Sequence, residues 1–326
     1  MKWLKPVVAA LLLCTAFGSQ AAPDLSKVTL VLGDQARNLR SLIEAADVMK
    51  DAPYQYRWAN FQGAAPLFEA QRAGAVDTSY AGDLPVLMAA SGGVPLKIIA
   101  TNVGDAGSNG LIVPADSPIH SVKDLAGKQV VVSSARGSIS QHLLYEALEE
   151  AKVPRDTVPV RFVLPTDASA AFNSGQIAAW ATFDPYLGIA EKHGARLLRD
   201  GKGLTTALSF VTATQSSLDD PAKRAAIADF THRLAKAREW ALAHPQQYNE
   251  VYAQLTRLQP ADAQQITARI SHGVRGVTPD DVAKVQKVSD LFSELNILPN
   301  KVDVQAITDN SVFQTQYVKS RRYDMH

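Results

Sequence analysis

Residues 131–152 read VVSSARGSISQHLLYEALEEAK, and the spacing of their apolar positions changes once. A β-branched run at 130–132 stops at Ser133 and Ser134. Beyond Arg136-Gly137, apolar side chains recur at Ile139, Leu143, Leu144, Ala147, Leu148 and Ala151, the spacing of one helix face. The pattern predicts strand, turn and helix. Gly137 supplies freedom to turn, Ser138 or Ser140 can cap the helix, and the first amides are left without intrahelical partners. Such an end favours an anion, and Arg136 would add a full positive charge, although an ordinary strand-to-helix connection uses the same residue types.

The same alternation runs through most of the chain. Strands are predicted over 27–32, 54–58, 76–80 and 96–100, with helices over 39–49, 64–73 and 86–90 between them. At 101–110 the composition shifts to Gly, Asn, Asp and Ser, with Val103 the one large apolar side chain. The rhythm restarts with strands over 111–113, 130–132, 160–163, 178–182 and 196–198 and a helix over 185–192. A second break, Gly201-Lys202-Gly203, precedes a strand over 207–213, and from Pro221 onward the pattern is helical: 222–243, 245–255, 261–270 and 279–295.

Two breaks bracketing one βα block predict an α/β protein with a discontinuous first lobe, residues 22–105 with 205–326, and a second lobe over 106–204. Each lobe would be a mixed sheet flanked by helices, with two crossings between them and a helical C-terminal region. Open α/β sheets bind ligands beyond the carboxyl ends of their strands, so the expected site is the cleft between the lobes, closing about the crossings. The loops that follow strands supply the candidates: Gln35 in Gly33-Asp34-Gln35, Asp83 and Leu84, Asn102, Arg136 to Ser140 with Gly137, Ser138 and Ile139, Phe183 and Asp184, and Phe210. Asp83 and Asp184 are equally good helix N-caps.

Lys2 and Lys5 precede an apolar run at 7–13, with Ser19, Ala21 and Ala22 behind it. This is the layout of a cleaved export signal over residues 1–21, too short for a spanning helix. Cleavage near Ala21 or Ala22 removes two positive charges from a formal net of +1 and takes away Cys14, the single cysteine. A mature chain near neutrality argues against a nucleic-acid partner, and one without a thiol has no disulfide, thiolate metal site or cysteine nucleophile. No phosphate loop, Gly-x-Ser-x-Gly elbow or His-Glu-x-x-His occurs, the seven histidines never fall three to five apart, and Gly201-Lys202-Gly203 opens no dinucleotide-binding helix. No catalytic residue, cofactor or metal is therefore expected. Arg321-Arg322 reads as a solvated tail.

In chain order the motifs FQGAAPLFEA (61–70), GDLP (82–85), IVPADSPI (112–119), SVKDLAGK (121–128), Gly137-Ser138, AWATFDPY (179–186) and WALAHP (240–245) resemble those of the periplasmic substrate-binding proteins of aliphatic sulfonate ABC transporters. The larger group also holds taurine, nitrate and thiamine-precursor binders. The resemblance spans nearly the whole mature chain. It implies a two-lobed, type II-like periplasmic binding protein, monomeric and not an enzyme, that closes on a small organic anion and hands it to an inner-membrane permease. It also implies ligand contacts from Gln35, Asp83, Asn102, the 136–140 helix start and Phe183-Asp184. Two departures stand out: Gly33-Asp34 precede Gln35 where the family often has an aromatic residue, and Phe183 stands where it usually has Trp. Nitrate or a thiamine-pyrimidine precursor are the alternative ligands. Among relatives of this architecture are a desulfinase, which needs a cysteine nucleophile, and a thiamine-pyrimidine synthase, which export disfavours.

Overall fold

In the computed structural model, which describes residues 23–269 and 272–314, the chain folds into two sheets with helices on both faces of each. The leader read in residues 1–21, its cleavage point near Ala21 or Ala22, and Arg321-Arg322 lie outside the described residues. Among the described residues, no helix is long and apolar enough to cross a membrane.

The chain first lays down β1 (Thr29–Gln35), α1 (Asn38–Ala46), β2 (Gln55–Phe61), α2 (Ala64–Arg72), β3 (Thr78–Gly82), α3 (Asp83–Ser91) and β4 (Leu96–Val103). It then crosses to β5 (Asn109–Val113), β6 (Val130–Val132), α4 (Ile139–Glu150), β7 (Val160–Phe162), α5 (Pro165–Asn173), β8 (Trp180–Phe183), α6 (Tyr186–Lys192) and β9 (Arg196–Asp200). It returns as β10 (Leu208–Thr214), α7 (Gln215–Asp219), α8 (Pro221–Ala243), α9 (Pro245–Thr256), α10 (Pro260–Thr267), β11 (Gly273–Arg275), α11 (Pro279–Glu294) and α12 (Ser311–Gln314).

The first sheet has the order β11-β4-β10-β3-β1-β2 and the second β7-β6-β8-β5-β9. Both are mixed. β1 runs parallel to β2 and β3, whereas β10, the strand that returns from the second sheet, is antiparallel to β3 and β4. Each sheet is buried on two faces, so its central strands read as near-continuous apolar runs. In the first, Leu30, Leu32 and Val211 pack under α1, α8 and α9, while Ala81, Ile98 and Phe210 face α3 and α11. In the second, Val130 and Val132 face α4, and Val131 and Trp180 face α5 and α6.

The expected crossings are narrower in the structure. Thr101 to Val103 extend β4, and Asn109 with Gly110 begin β5, because ladder bonds to β10, β11, β8 and β9 override the loop-like composition. The lobes meet closely beside the crossings. A Cβ at Gly63 would fall 2.7 Å from Ser134 Oγ, and one at Gly82 would fall 2.3 Å from Ile139 Cγ2.

Candidate functional site

A cavity of about 180 Å³ lies where the strand ends of the two sheets face each other beside the crossings. The first lobe supplies Gln35, Tyr80, Asp83 and Asn102 at the ends of β1, β3 and β4. The second supplies Asn109, Ser138, Ile139, Phe183 and Asp184, and Thr205 and Thr206 come from the returning crossing. Helices α8, α9 and α10 close the remaining side with Arg238, Tyr248, Tyr252 and Ile266, and Arg269 follows α10.

Of the residues singled out in the sequence, Gln35, Asp83, Asn102, Ser138, Ile139, Phe183 and Asp184 line this cavity. Leu84 and Phe210 do not: both are buried in the core between the first sheet and α3 and α11. Gly137 lies behind the lining at φ +78°, with its amide donating to Gln141 Oε1 at 2.7 Å. Ser140 is fully buried with its hydroxyl unpartnered, also outside the lining. Arg136 is exposed, and its guanidinium donates to the Asn296 carbonyl beyond α11 at 2.5 Å.

Ser138 caps α4, its hydroxyl accepting the Gln141 amide at 3.3 Å. The helix start is thus held at the cavity wall, and its dipole and early amides favour negative charge there. Gln35 is fixed through its side-chain amide, which donates to the Tyr80 carbonyl at 2.7 Å. Asp34, one residue before it, turns away from the cleft. Its carboxylate accepts the amides of Gln35, Leu39 and Arg40 at 2.7, 3.0 and 2.9 Å, and burial pushes it up to about 6 despite those bonds.

The two candidate carboxylates are both engaged by protein groups. Asp83 is the first residue of α3, after an N-cap at Gly82, so it does not cap that helix as the sequence suggested. Its Oδ1 accepts the Leu84 amide at 2.6 Å and stands 3.6 Å from His142 Nδ1, and its Oδ2 accepts the Thr206 hydroxyl at 2.5 Å. Burial pushes Asp83 up, but the His142 hydrogen bond and charge, with Thr206 and Leu84, outweigh this and hold it below the usual carboxylate range. Asp184 does serve α6, accepting the Gly188 amide at 2.9 Å, and it also pairs with Arg269 at 2.9 Å.

The cation facing the cavity is one the sequence reading passed over. Arg238, on α8, is 3% exposed and hydrogen-bonds to Tyr248, yet its Nε has no partner. Among the described residues no carboxylate lies within ion-pairing distance of it. A buried, unneutralised guanidinium is costly unless a counter-charge arrives. The sequence held one signal for it. Ile227, Phe230, Leu234, Ala237 and Ala241 form the buried stripe of α8, and Arg238 falls in the same stripe.

Comparison with known proteins follows the same line. The sequence model of the "NMT1/THI5 like" family matches residues 65–248. The chain is 27% identical over 312 residues to a protein of Escherichia coli (strain K12) named as an aliphatic sulfonates-binding protein, covering 93% of this chain and 94% of that one. Among solved structures it is similar to the alkanesulfonate-binding protein SsuA from Xanthomonas axonopodis pv. citri bound to MOPS, with a TM-score of 0.80, 25% identity, and 89% and 99% of the two chains covered. It is also similar to the periplasmic aliphatic sulphonate binding protein SsuA from Escherichia coli, with a TM-score of 0.76, 27% identity, and 88% and 99% covered.

Proposed function

Since the chain belongs to the NMT1/THI5-like family, we propose that it is the periplasmic solute-binding component of an ABC importer, which captures a small organosulfonate by closing its cleft and delivers it to an inner-membrane permease. It is a binding protein and not an enzyme. The observation that carries the reading is Arg238: a buried guanidinium with an unpartnered Nε and no carboxylate counterion, in a cavity shared by both lobes.

A sulfonate suits that environment. It stays ionised at physiological pH and presents three acceptor oxygens, so it needs a cation and several N–H or O–H donors and no protonated acid. Arg238 supplies the charge, and the start of α4 at Ser138 and Ile139 supplies a positive dipole end. Phe183, Tyr252 and Ile266 offer apolar surface to the organic group. We assign the ligand contacts to these residues with Gln35 and Asn102. Residues 22–105 with 205–326 would move as one body and 106–204 as the other, in a monomer exported by cleavage near Ala21 or Ala22.

The test is a thermal-shift screen of the mature chain against taurine, short and long alkanesulfonates, aromatic sulfonates, sulfate esters, nitrate and thiamine precursors. A ligand at a hundredfold excess over its Kd adds about 2.7 kcal/mol of stability. Shifts confined to sulfonates support the reading. A shift with nitrate or a pyrimidine alone overturns it.

A further inference from the structure

We propose that Asp83, His142 and Thr206 form a lock between the lobes that holds the cleft shut over its ligand, and that protonation of His142 tightens it. The proposal rests on the binding reading above and adds what regulates that site.

The three residues come from three parts of the chain that closure brings together: Asp83 from α3 of the first lobe, His142 from α4 of the second, and Thr206 from the returning crossing. All three line the cavity. Asp83 and His142 are each 3% exposed, so their encounter excludes water. One carboxylate oxygen faces the imidazole at 3.6 Å and the other holds the crossing through the Thr206 hydroxyl at 2.5 Å. Asp83 thus ties α4 to the hinge. His142 sits one turn after Ser138, so whatever fixes the imidazole also fixes the helix start that meets the anion.

The charge logic gives the direction of the pH effect. From α3 the imidazole faces Asp83, and from α11 it meets the edge of Phe292, with ring centroids 5.1 Å apart. On its own helix Tyr145 stacks on that same Phe292. Asp83 is the one charged group among these. The cavity's two arginines are engaged elsewhere, Arg238 with Tyr248 and Arg269 with Asp184 and Glu191. An imidazolium attracts the Asp83 carboxylate where a neutral imidazole does not, so closure is favoured as pH falls through the histidine range. A positive His142 also offsets the repulsion between Asp83 and a bound anion.

The same geometry removes Asp83 as a partner for an amine on the ligand, because both of its oxygens already accept protein donors. Asp83→Asn should therefore weaken ethanesulfonate and taurine equally. A loss confined to taurine would overturn the lock.

The decisive experiment uses the mature chain and two readouts between about pH 5.5 and about pH 8, the range in which histidine titrates. Calorimetric titration with ethanesulfonate should show affinity falling with rising pH, by up to about tenfold for one unit of linkage. His142→Asn should bind more weakly at low pH and lose the slope. Thr206→Val should weaken binding and keep the slope. Small-angle scattering of the ligand-free protein should show a smaller radius of gyration at low pH, and His142→Asn should abolish that change. Ethanesulfonate binding with no pH dependence, or an unchanged slope in His142→Asn, overturns the lock and leaves the sulfonate reading standing. If ethanesulfonate binds at no pH, the sulfonate reading is in question and scattering alone decides: compaction lost in His142→Asn supports the lock, and a pH-independent radius overturns it.

Discussion

Arg269 and Asp184 join the lobes on the side of the cavity away from the crossings, with the Arg269 Nε 2.9 Å from Asp184 Oδ2 and Nη2 donating to Oδ1 at 2.9 Å. The same guanidinium reaches Glu191 Oε2 at 2.8 Å and the Gly107 carbonyl at 3.2 Å. One arginine thus serves two carboxylates, in a place dry enough that burial pushes Asp184 up to about 7, with Glu191 adding to the rise and Arg269 opposing it.

Because Asp184 is raised above its unfolded value of 3.8, the folded protein binds a proton that the unfolded chain has released. Its contribution is full below pH 3.8 and is lost as pH rises through about 7. The Tm of the wild-type protein should therefore decline between about pH 5 and about pH 8, and Asp184→Asn should flatten the upper part of that decline. A wild-type slope retained in Asp184→Asn would assign the titration to another group.

Gly82 marks a contact that exists only when the cleft is shut. Its φ of −64° suits any residue, yet a Cβ there would stand 2.3 Å from Ile139 Cγ2 on the opposite lobe. Overpacking of this kind costs about 1–3 kcal/mol, and here the cost falls on the closed state. Gly82→Ala should weaken ligand binding by about tenfold or more and leave the ligand-free Tm nearly unchanged. A large drop in that Tm with intact affinity would mean that the glycine serves folding and not closure.

Much of this architecture was legible because the apolar period changes where the elements change. Val130 to Val132 and the Ile139-to-Ala151 face correspond to β6 and α4, and the Gly-rich breaks fall beside the crossings. The short elements were not legible. β11 is three residues containing Gly273, and it exists through pairing with β4, while α5 mixes Ala, Ser and Thr without a clear apolar face. In the site, adjacency in sequence was a poor guide to direction. Arg136 lies next to the helix start, but the turn at Gly137, at φ +78°, leaves it on the surface against Asn296. The cation that does face the cavity comes from α8, about one hundred residues further on, and three-dimensional packing alone brings it there.

Asp281 anchors the helical region that follows the second sheet. It completes a capping box with Thr278 at the start of α11, pairs with Arg275 at 2.5 Å and accepts the Thr101 hydroxyl of β4 at 3.0 Å. Burial pushes its carboxyl up, but the Arg275 hydrogen bond, the Thr278 amide and the Thr101 hydroxyl overcome this and hold it at about 2. The stability it confers is present above pH 3.8 and is lost as pH falls through about 2. Asp281→Ala should cost about 2 kcal/mol at neutral pH, from the lost cap and the broken charged hydrogen bonds. Urea denaturation measures this, and a change below about 0.5 kcal/mol would show that the network is replaceable.

Arg238 separates stability from function most sharply. With no ligand, its guanidinium is a buried charge lacking a carboxylate partner, held by Tyr248 and left open at Nε. Replacing such a group with an apolar side chain of similar length removes a desolvation penalty, as when buried ion pairs are exchanged for packed hydrophobic residues. Arg238→Met should therefore leave the ligand-free Tm unchanged or raise it by about 2 °C or more. The same substitution removes the counter-charge for the anion, and loss of one member of a buried charge pair weakens binding by about 2 kcal/mol or more, roughly thirtyfold. Thermal unfolding with and without ethanesulfonate reads both effects. A stable variant that no longer shifts with ligand would identify Arg238 as the anion's partner, whereas a destabilised variant that still shifts would make it a structural residue and move the anion to the start of α4.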